Sequence, residues 1–192
     1  MIRSLCEDLV AAFELHGPGV RKNLRPGLGR HEILDIVKPT GIVLPEPVME
    51  MYQWADGHIE NEDDENTIVF RDNTFISLGQ AVEQYFQMQS TYGGEEVTID
   101  AVGVEFEKCF PISLNSGSWD TVACGRHVYL GLSNPIVRVF QGYKLYFDSV
   151  QNMLRTCIAW VSRPEWERFH GLREDIEREI WKAANPVRSR VA

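Results

Sequence analysis

Apolar residues recur at helical spacing from the first residues of the chain. Leu5, Leu9, Ala12 and Phe13 share one face, which predicts a helix over residues 2–15, stopped by Gly17-Pro18-Gly19. The next stretch, "VRKNLRPGLGR", has no period and mixes glycine with cations, so a loop is expected. A short helix is expected over His31 to Val37, ahead of Pro39. In "LPEPVMEMYQWADG", Pro45 suits a first helical turn, and Val48, Met51, Tyr52 and Ala55 fall on one face. Gly57 stands where a helix would end on a residue with positive φ. Tyr52 and Trp54 are expected to be mostly buried and to anchor the core.

The pattern then shortens. "NTIVFRD" predicts a strand over Thr67 to Arg71. "SLGQAVEQYFQMQSTYGG" predicts a longer helix, with Ser77 as its N-cap and Gly93-Gly94 beyond its end. "KCFPIS", "SWDTVAC", "HVYLGL", "IVRVF" and "KLYFD" are short β-branched and aromatic runs separated by turn residues. They predict an antiparallel meander. Two helices close the chain, Ser149 to Val161 and Pro164 to about Ala184. In the last, Trp166, Phe169, Leu172, Ile176 and Ile180 form one stripe, and Glu174 and Arg178 form an i,i+4 pair. Helices at both ends and strands between them predict an α+β fold. It is expected to be a single domain over 1–192, with a central antiparallel sheet packed by N-terminal and C-terminal helices on one face.

Composition supports a globular chain. Its 192 residues are 44% hydrophobic, which suits one core, since single cores serve up to ~250 residues. No uncharged apolar run reaches the ~18 residues of a membrane span. Glu7 and Asp8 precede any long apolar block, the reverse of an export signal, so a cytoplasmic location is expected. Cys6, Cys109, Cys124 and Cys157 are far apart and form no CxxC, so reduced, buried thiols are expected.

The net charge of −9 is unevenly spread: +1 over residues 1–43, −13 over 44–109 and +3 over 110–192. A negative centre disfavours direct nucleic-acid binding, which needs a cationic footprint. It favours a basic protein partner, because an acidic field raises encounter rates with a cationic surface.

Candidate chemistry is sparse. Asp120, Cys124 and His127 lie close in sequence, and a Cys-His pair can make a nucleophile, as in a hydrolase-like enzyme. Cys124 and His127 flank a Gly125-Arg126 turn without an activating motif, which favours a buried Cys beside a surface His. "HGPGVRKNLRPGLG" follows a helix and lacks the Gly-Lys-Ser/Thr ending of a phosphate loop. "HIENEDDEN" crowds Glu60, Glu62, Asp63, Asp64 and Glu65 without the alternate spacing of a calcium loop. Such a run is a solvated loop or an interaction site. Trp54 and Trp119 stand at element ends, where aromatics seal a core or anchor an interface. No catalytic residue, metal or cofactor is assigned.

The order of segments resembles the SUKH superfamily (the Smi/Knr-like domain). "LPEPVMEMYQWADG" resembles its Leu-Pro helix that ends in an aromatic and Asn/Asp-Gly. "TFISLGQAVEQY" resembles its next segment, a short strand leading into a polar helix. "CFPISLNSGSWDTVAC" resembles its aromatic-Pro-Ile strand, turn and Asp-bearing strand. The resemblance covers roughly 30–162. The turn is less glycine-rich than in many members, and the helix from Pro164 lies beyond the family's usual end. The resemblance implies an α+β domain with an antiparallel sheet, and a non-enzymatic binding role. Most bacterial members resemble immunity proteins that neutralise polymorphic toxins; others look like regulatory scaffolds. On that reading the contact residues are expected to be Glu60, Glu62, Asp63, Asp64 and Glu65, with Asp56 and Asp120 as lesser candidates. The partner is expected to be a basic toxin domain.

Overall fold

The computed structural model describes residues 1–16, 19–59, 68–70, 73–92, 105–115, 118–124, 126–127, 132–139, 143–166 and 172–186. The N-terminal third is helical. Helix α1 (Ile2–Glu14) buries Ile2, Cys6, Leu9, Val10, Ala12 and Phe13. After a short 3-10 turn, strand β1 (Leu24–Pro26) precedes helices α2 (Arg30–Val37) and α3 (Glu46–Trp54). Strand β2 (Ala55–His58) follows α3 directly and pairs antiparallel with β1, Leu24 opposite His58 and Pro26 opposite Ala55. A loop was expected at Leu24–Pro26. Three residues are too few to show an alternating pattern, and their partner lies some thirty residues away.

Gly57 does have positive φ, +70°, but it sits inside β2 rather than at the helix end. Ala55 ends α3 in an extended conformation. The requirement at Gly57 is tertiary: a Cβ there would lie 2.4 Å from both the Ile76 carbonyl carbon and the Ser77 nitrogen. The adjoining Asp56 side chain accepts a hydrogen bond from the Leu78 N–H at 2.7 Å. Asp56 and Gly57 together seat β2 against the start of the next helix.

That helix, α4 (Leu78–Tyr92), starts after the hairpin of β3 (Val69–Phe70) and β4 (Asn73–Phe75). Ser77 is its cap as expected. The Gln80 N–H donates to Ser77 Oγ at 3.3 Å, and Gln80 Oε1 accepts from the Ser77 N–H at 3.0 Å. This reciprocal pair satisfies donors that a helix start otherwise leaves open.

Strands β5 (Cys109–Asn115) and β6 (Ser118–Ala123) form the central hairpin. A small hairpin of β7 (Arg126–His127) and β8 (Leu132–Ser133) comes next, then β9 (Ile136–Val139) and β10 (Tyr143–Phe147). One strand was expected across "HVYLGL"; its ends instead belong to β7 and β8, and positions 128–131 lie outside the described residues. The main sheet has six strands in the order β10-β9-β6-β5-β4-β3. All neighbours are antiparallel. It is the expected meander with α4 inserted between β4 and β5, and the fold is α+β.

The sheet is buried on both faces at its centre, not on one. Phe110, Ile112, Val122 and Ile136 join the large core that also holds residues of α1, α3 and helix α5 (Val150–Val161). Cys109, Ala123, Val137 and Val139 form a second cluster, to which α4 contributes Met88. Both parities of these strands are therefore apolar, a pattern that fits two-sided cover.

The last helix is shorter than expected. Helix α6 spans Glu174–Ala184 and follows Arg173. Pro164 to Trp166 form a turn, and Phe169 lies outside the described residues. Trp166 does not extend the α6 stripe. It packs edge-on against Phe13 of α1, with ring centroids 5.6 Å apart, and against His16 at 4.8 Å. Three acidic residues in the first turn of α6 suit the positive end of its dipole. The Glu174–Arg178 pair is present at 3.9 Å on the surface. Asn185 fastens the helix end: its Oδ1 accepts from the Asp148 N–H, and its Nδ2 donates to Thr156 Oγ1 and the Trp181 carbonyl. No helix among the described residues is long and apolar enough to cross a membrane.

Candidate protein-binding site

The described chain stops at Ile59, just past β2, and resumes at Ile68. Both ends are tied down. The Ile59 N–H donates to the Asn23 carbonyl at 2.8 Å, and Arg25 Nε donates to the His58 carbonyl at 3.0 Å. The Ile68 N–H donates to His58 Nε2. His58 and Ile68 are both buried, so the two strands of chain meet at a packed base. Glu60, Glu62, Asp63, Asp64 and Glu65 themselves lie outside the described residues.

Asp56 is half-buried and is already used. Burial pushes its pKa up, the Leu78 N–H opposes that, and Arg25 and Glu32 act in opposite directions. Its carboxylate serves the start of α4, so a partner would find its acceptor engaged.

Asp120 is the larger surprise. It was expected at a contact surface, yet its side chain is fully buried. It stands directly opposite Arg138 across β6 and β9. Arg138 Nε donates to Asp120 Oδ1 at 2.8 Å and a terminal nitrogen donates to Oδ2 at 3.0 Å. Ser113 Oγ donates to Oδ2 at 3.0 Å. Two strand irregularities build this cluster. The register of β5 shifts between Pro111 and Ser113, which turns Ser113 onto the Asp120 face. The register of β10 shifts between Leu145 and Phe147, and the intervening Tyr146 lays its ring 4.2 Å from the Arg138 guanidinium carbon. Arg138 also donates to the Phe70 carbonyl at 3.3 Å. Asp120 is thus an internal brace of the sheet.

The sequence reading missed Arg138, Ser113 and Tyr146. A signal was present: "IVRVF" puts one arginine in an otherwise apolar strand, and a buried charge requires a partner. Strand register, which the sequence alone left open, then pairs it with Asp120.

Trp54 is half-buried rather than mostly buried. Its indole N–H donates to Glu7 Oε1 at 2.8 Å, and Arg21 donates to Glu7 Oε2 at 2.6 Å. These two donors hold the Glu7 carboxyl below its ordinary value. Tyr52 is the buried anchor, its ring 5.4 Å from that of Phe75. Trp119 is also half-buried and donates through Nε1 to Gln84 Oε1 at 2.8 Å, tying α4 to the sheet.

Cys124 is buried, and that burial, reinforced by neighbouring Cys109, pushes its thiol up to about 12. A protonated thiol is a poor nucleophile. His127 lies in β7, and its side chain is outside the described residues. All four cysteines are buried, and none is joined in a disulfide among the described residues.

The chain matches no protein-family model and no curated protein.

Proposed function

We propose that this chain is a non-enzymatic protein-binding module of the SUKH immunity type, which neutralises a basic toxin domain through the segment Glu60 to Glu65. The observation that carries the reading is charge on a fastened base. Residues 44–109 hold net −13, while the flanking parts of the chain are close to neutral. The densest run lies in sequence between His58 and Ile68, which are hydrogen-bonded to each other. A fixed base limits the conformations the segment loses on binding, which lowers the entropic cost of association. The order of α3, Asp56-Gly57, β4, α4 and the β5–β6 hairpin agrees with the segments that carry the family resemblance.

The test uses wild type and a variant with Glu60, Glu62 and Glu65 changed to Gln and Asp63 and Asp64 to Asn. Wild type is used as bait in native cells, and the bound protein is identified by mass spectrometry. Association kinetics of both chains are then measured at two ionic strengths. The variant is expected to associate about tenfold or more slowly at low salt and to show a flatter salt dependence, because steering acts on the on-rate. Co-expression of wild type is expected to restore growth to cells that make the captured protein. Equal association rates at low salt would remove the segment from the interface.

A further inference from the structure

We propose that α6 is a strap over one edge of the main sheet, and that it releases as a unit while the sheet stays folded. Among the described residues β10 is the outermost strand on its side, with β9 as its neighbour. Two side chains from the end of α6 take main-chain groups where β10 ends. The Trp181 indole N–H donates to the Tyr146 carbonyl at 2.8 Å, and Asn185 Oδ1 accepts from the Asp148 N–H at 3.0 Å. A carbonyl and an N–H two residues apart on an edge strand are groups that an added strand would use. Closed, α6 occupies both. The Trp181 ring also lies beside that of Tyr146, with centroids 6.4 Å apart. A further bond comes from α5, whose Trp160 indole N–H donates to the Glu177 carbonyl at 3.1 Å.

The way α6 is held allows release. Helix α5 buries seven of its twelve residues, whereas α6 buries none of its eleven. Ile176, Ile180 and Trp181 are only partly buried against the core. Few buried apolar contacts place a segment at the low end of local stability. The groups that α6 bonds on the body are neutral: the Tyr146 carbonyl, the Asp148 N–H, the Trp160 indole and the Thr156 hydroxyl. Water can replace the partner of each when α6 leaves, so none is stranded. The outer side, with Glu174, Asp175, Arg178, Glu179 and Lys182 exposed, is already solvated. A helix of eleven residues does not hold its shape alone in water, so release melts it and its amides open in one event. Asn185, just past its end, is the buried anchor that keeps it closed.

Hydrogen exchange followed by NMR at rising, sub-denaturing urea tests this. The α6 amides, the Asp148 amide and the Trp160 indole N–H are expected to exchange together. They should exchange faster than the amides of β6 and β9, and with little dependence on urea. Asn185→Ala is expected to speed that whole group about tenfold, through lost hydrogen bonds. The Trp160 indole is the decisive probe: it bonds Glu177, not Asn185, so it follows the substitution only if α6 leaves as one body. Trp181→Phe, which keeps a ring and removes one donor, is expected to act in the same way and serves if Asn185→Ala does not fold. If the α6 amides share the rate and urea dependence of the β6 and β9 amides, α6 opens only with the whole fold and the proposal is overturned. A response to Asn185→Ala confined to the Asp148 amide would overturn it as well.

Discussion

Asp120 and Arg138 stand opposite each other on β6 and β9 and meet in two hydrogen bonds of 2.8 and 3.0 Å. The carboxylate is fully buried and the guanidinium side chain only 13% exposed. Removing one partner leaves a buried charge without its counterpart, which costs ~3–5 kcal/mol. Asp120→Ala is therefore expected to lower stability by about that amount in urea titration. The double variant Asp120→Val with Arg138→Leu is expected to lose less than Asp120→Ala does. A loss below about 1 kcal/mol for Asp120→Ala would show that the pair adds little to the sheet.

Tyr52 and Trp54 are expected to behave differently despite lying two residues apart. Tyr52 is fully buried, and its hydroxyl has no hydrogen-bond partner among the described residues. Tyr52→Ala should cost ~3–5 kcal/mol through the cavity it leaves. Tyr52→Phe should be neutral or stabilising, because it removes an unsatisfied buried polar group. Trp54→Ala should cost less than Tyr52→Ala, since the indole is half-buried and chiefly holds Glu7. Chemical denaturation of the three variants checks the ranking; a Tyr52→Phe loss above about 1.5 kcal/mol would mean that its hydroxyl is bonded.

Two glycines provide opposite expectations for the same substitution. Gly57→Ala would force a Cβ into the Ile76–Ser77 peptide at φ +70°. It is expected to destabilise by well over ~1 kcal/mol. Gly79 lies in the first turn of α4, and a Cβ there would meet nothing within 4 Å. Gly79→Ala is expected to stabilise by up to ~1 kcal/mol through helix propensity. Thermal melts of both variants should move in opposite directions, and a shared direction would contradict this account.

The buried thiols predict a loss of stability at alkaline pH. Burial pushes Cys6, Cys109 and Cys124 from 9.0 up to about 12. The folded value lies above the unfolded one, so the native state keeps its protons longer. Their contribution is fully present below pH 9.0 and is lost as pH rises toward about 12. Each such thiol removes about 1.4 kcal/mol per pH unit in that window. The phenol of Tyr52, raised by burial, acts in the same direction from its ordinary value of 10.0 upward. Urea midpoints should fall steeply above about pH 9, with a shallower fall in Cys109→Ala. Midpoints that stay level there would show that these thiols are open to water.

The sequence by itself determined the elements whose causes are local. The buried stripe of α1, the Ser77–Gln80 cap of α4 and the Ser149 cap of α5 each depend on residues three or four apart, a spacing visible along the chain. The short strands of the meander were legible for the same reason, since alternation and turn residues mark them before any partner is known. The position of Asp120 was not legible. Its burial depends on the shifted register of β5, on Arg138 eighteen residues away and on Tyr146 in a third strand. The pairing of β1 with β2, the docking of Trp166 on Phe13 and the burial of both sheet faces were also decided only by the tertiary structure. Periodicity specifies which side chains share a face. What covers that face depends on contacts between distant parts of the chain, which exist only once the chain has closed on itself.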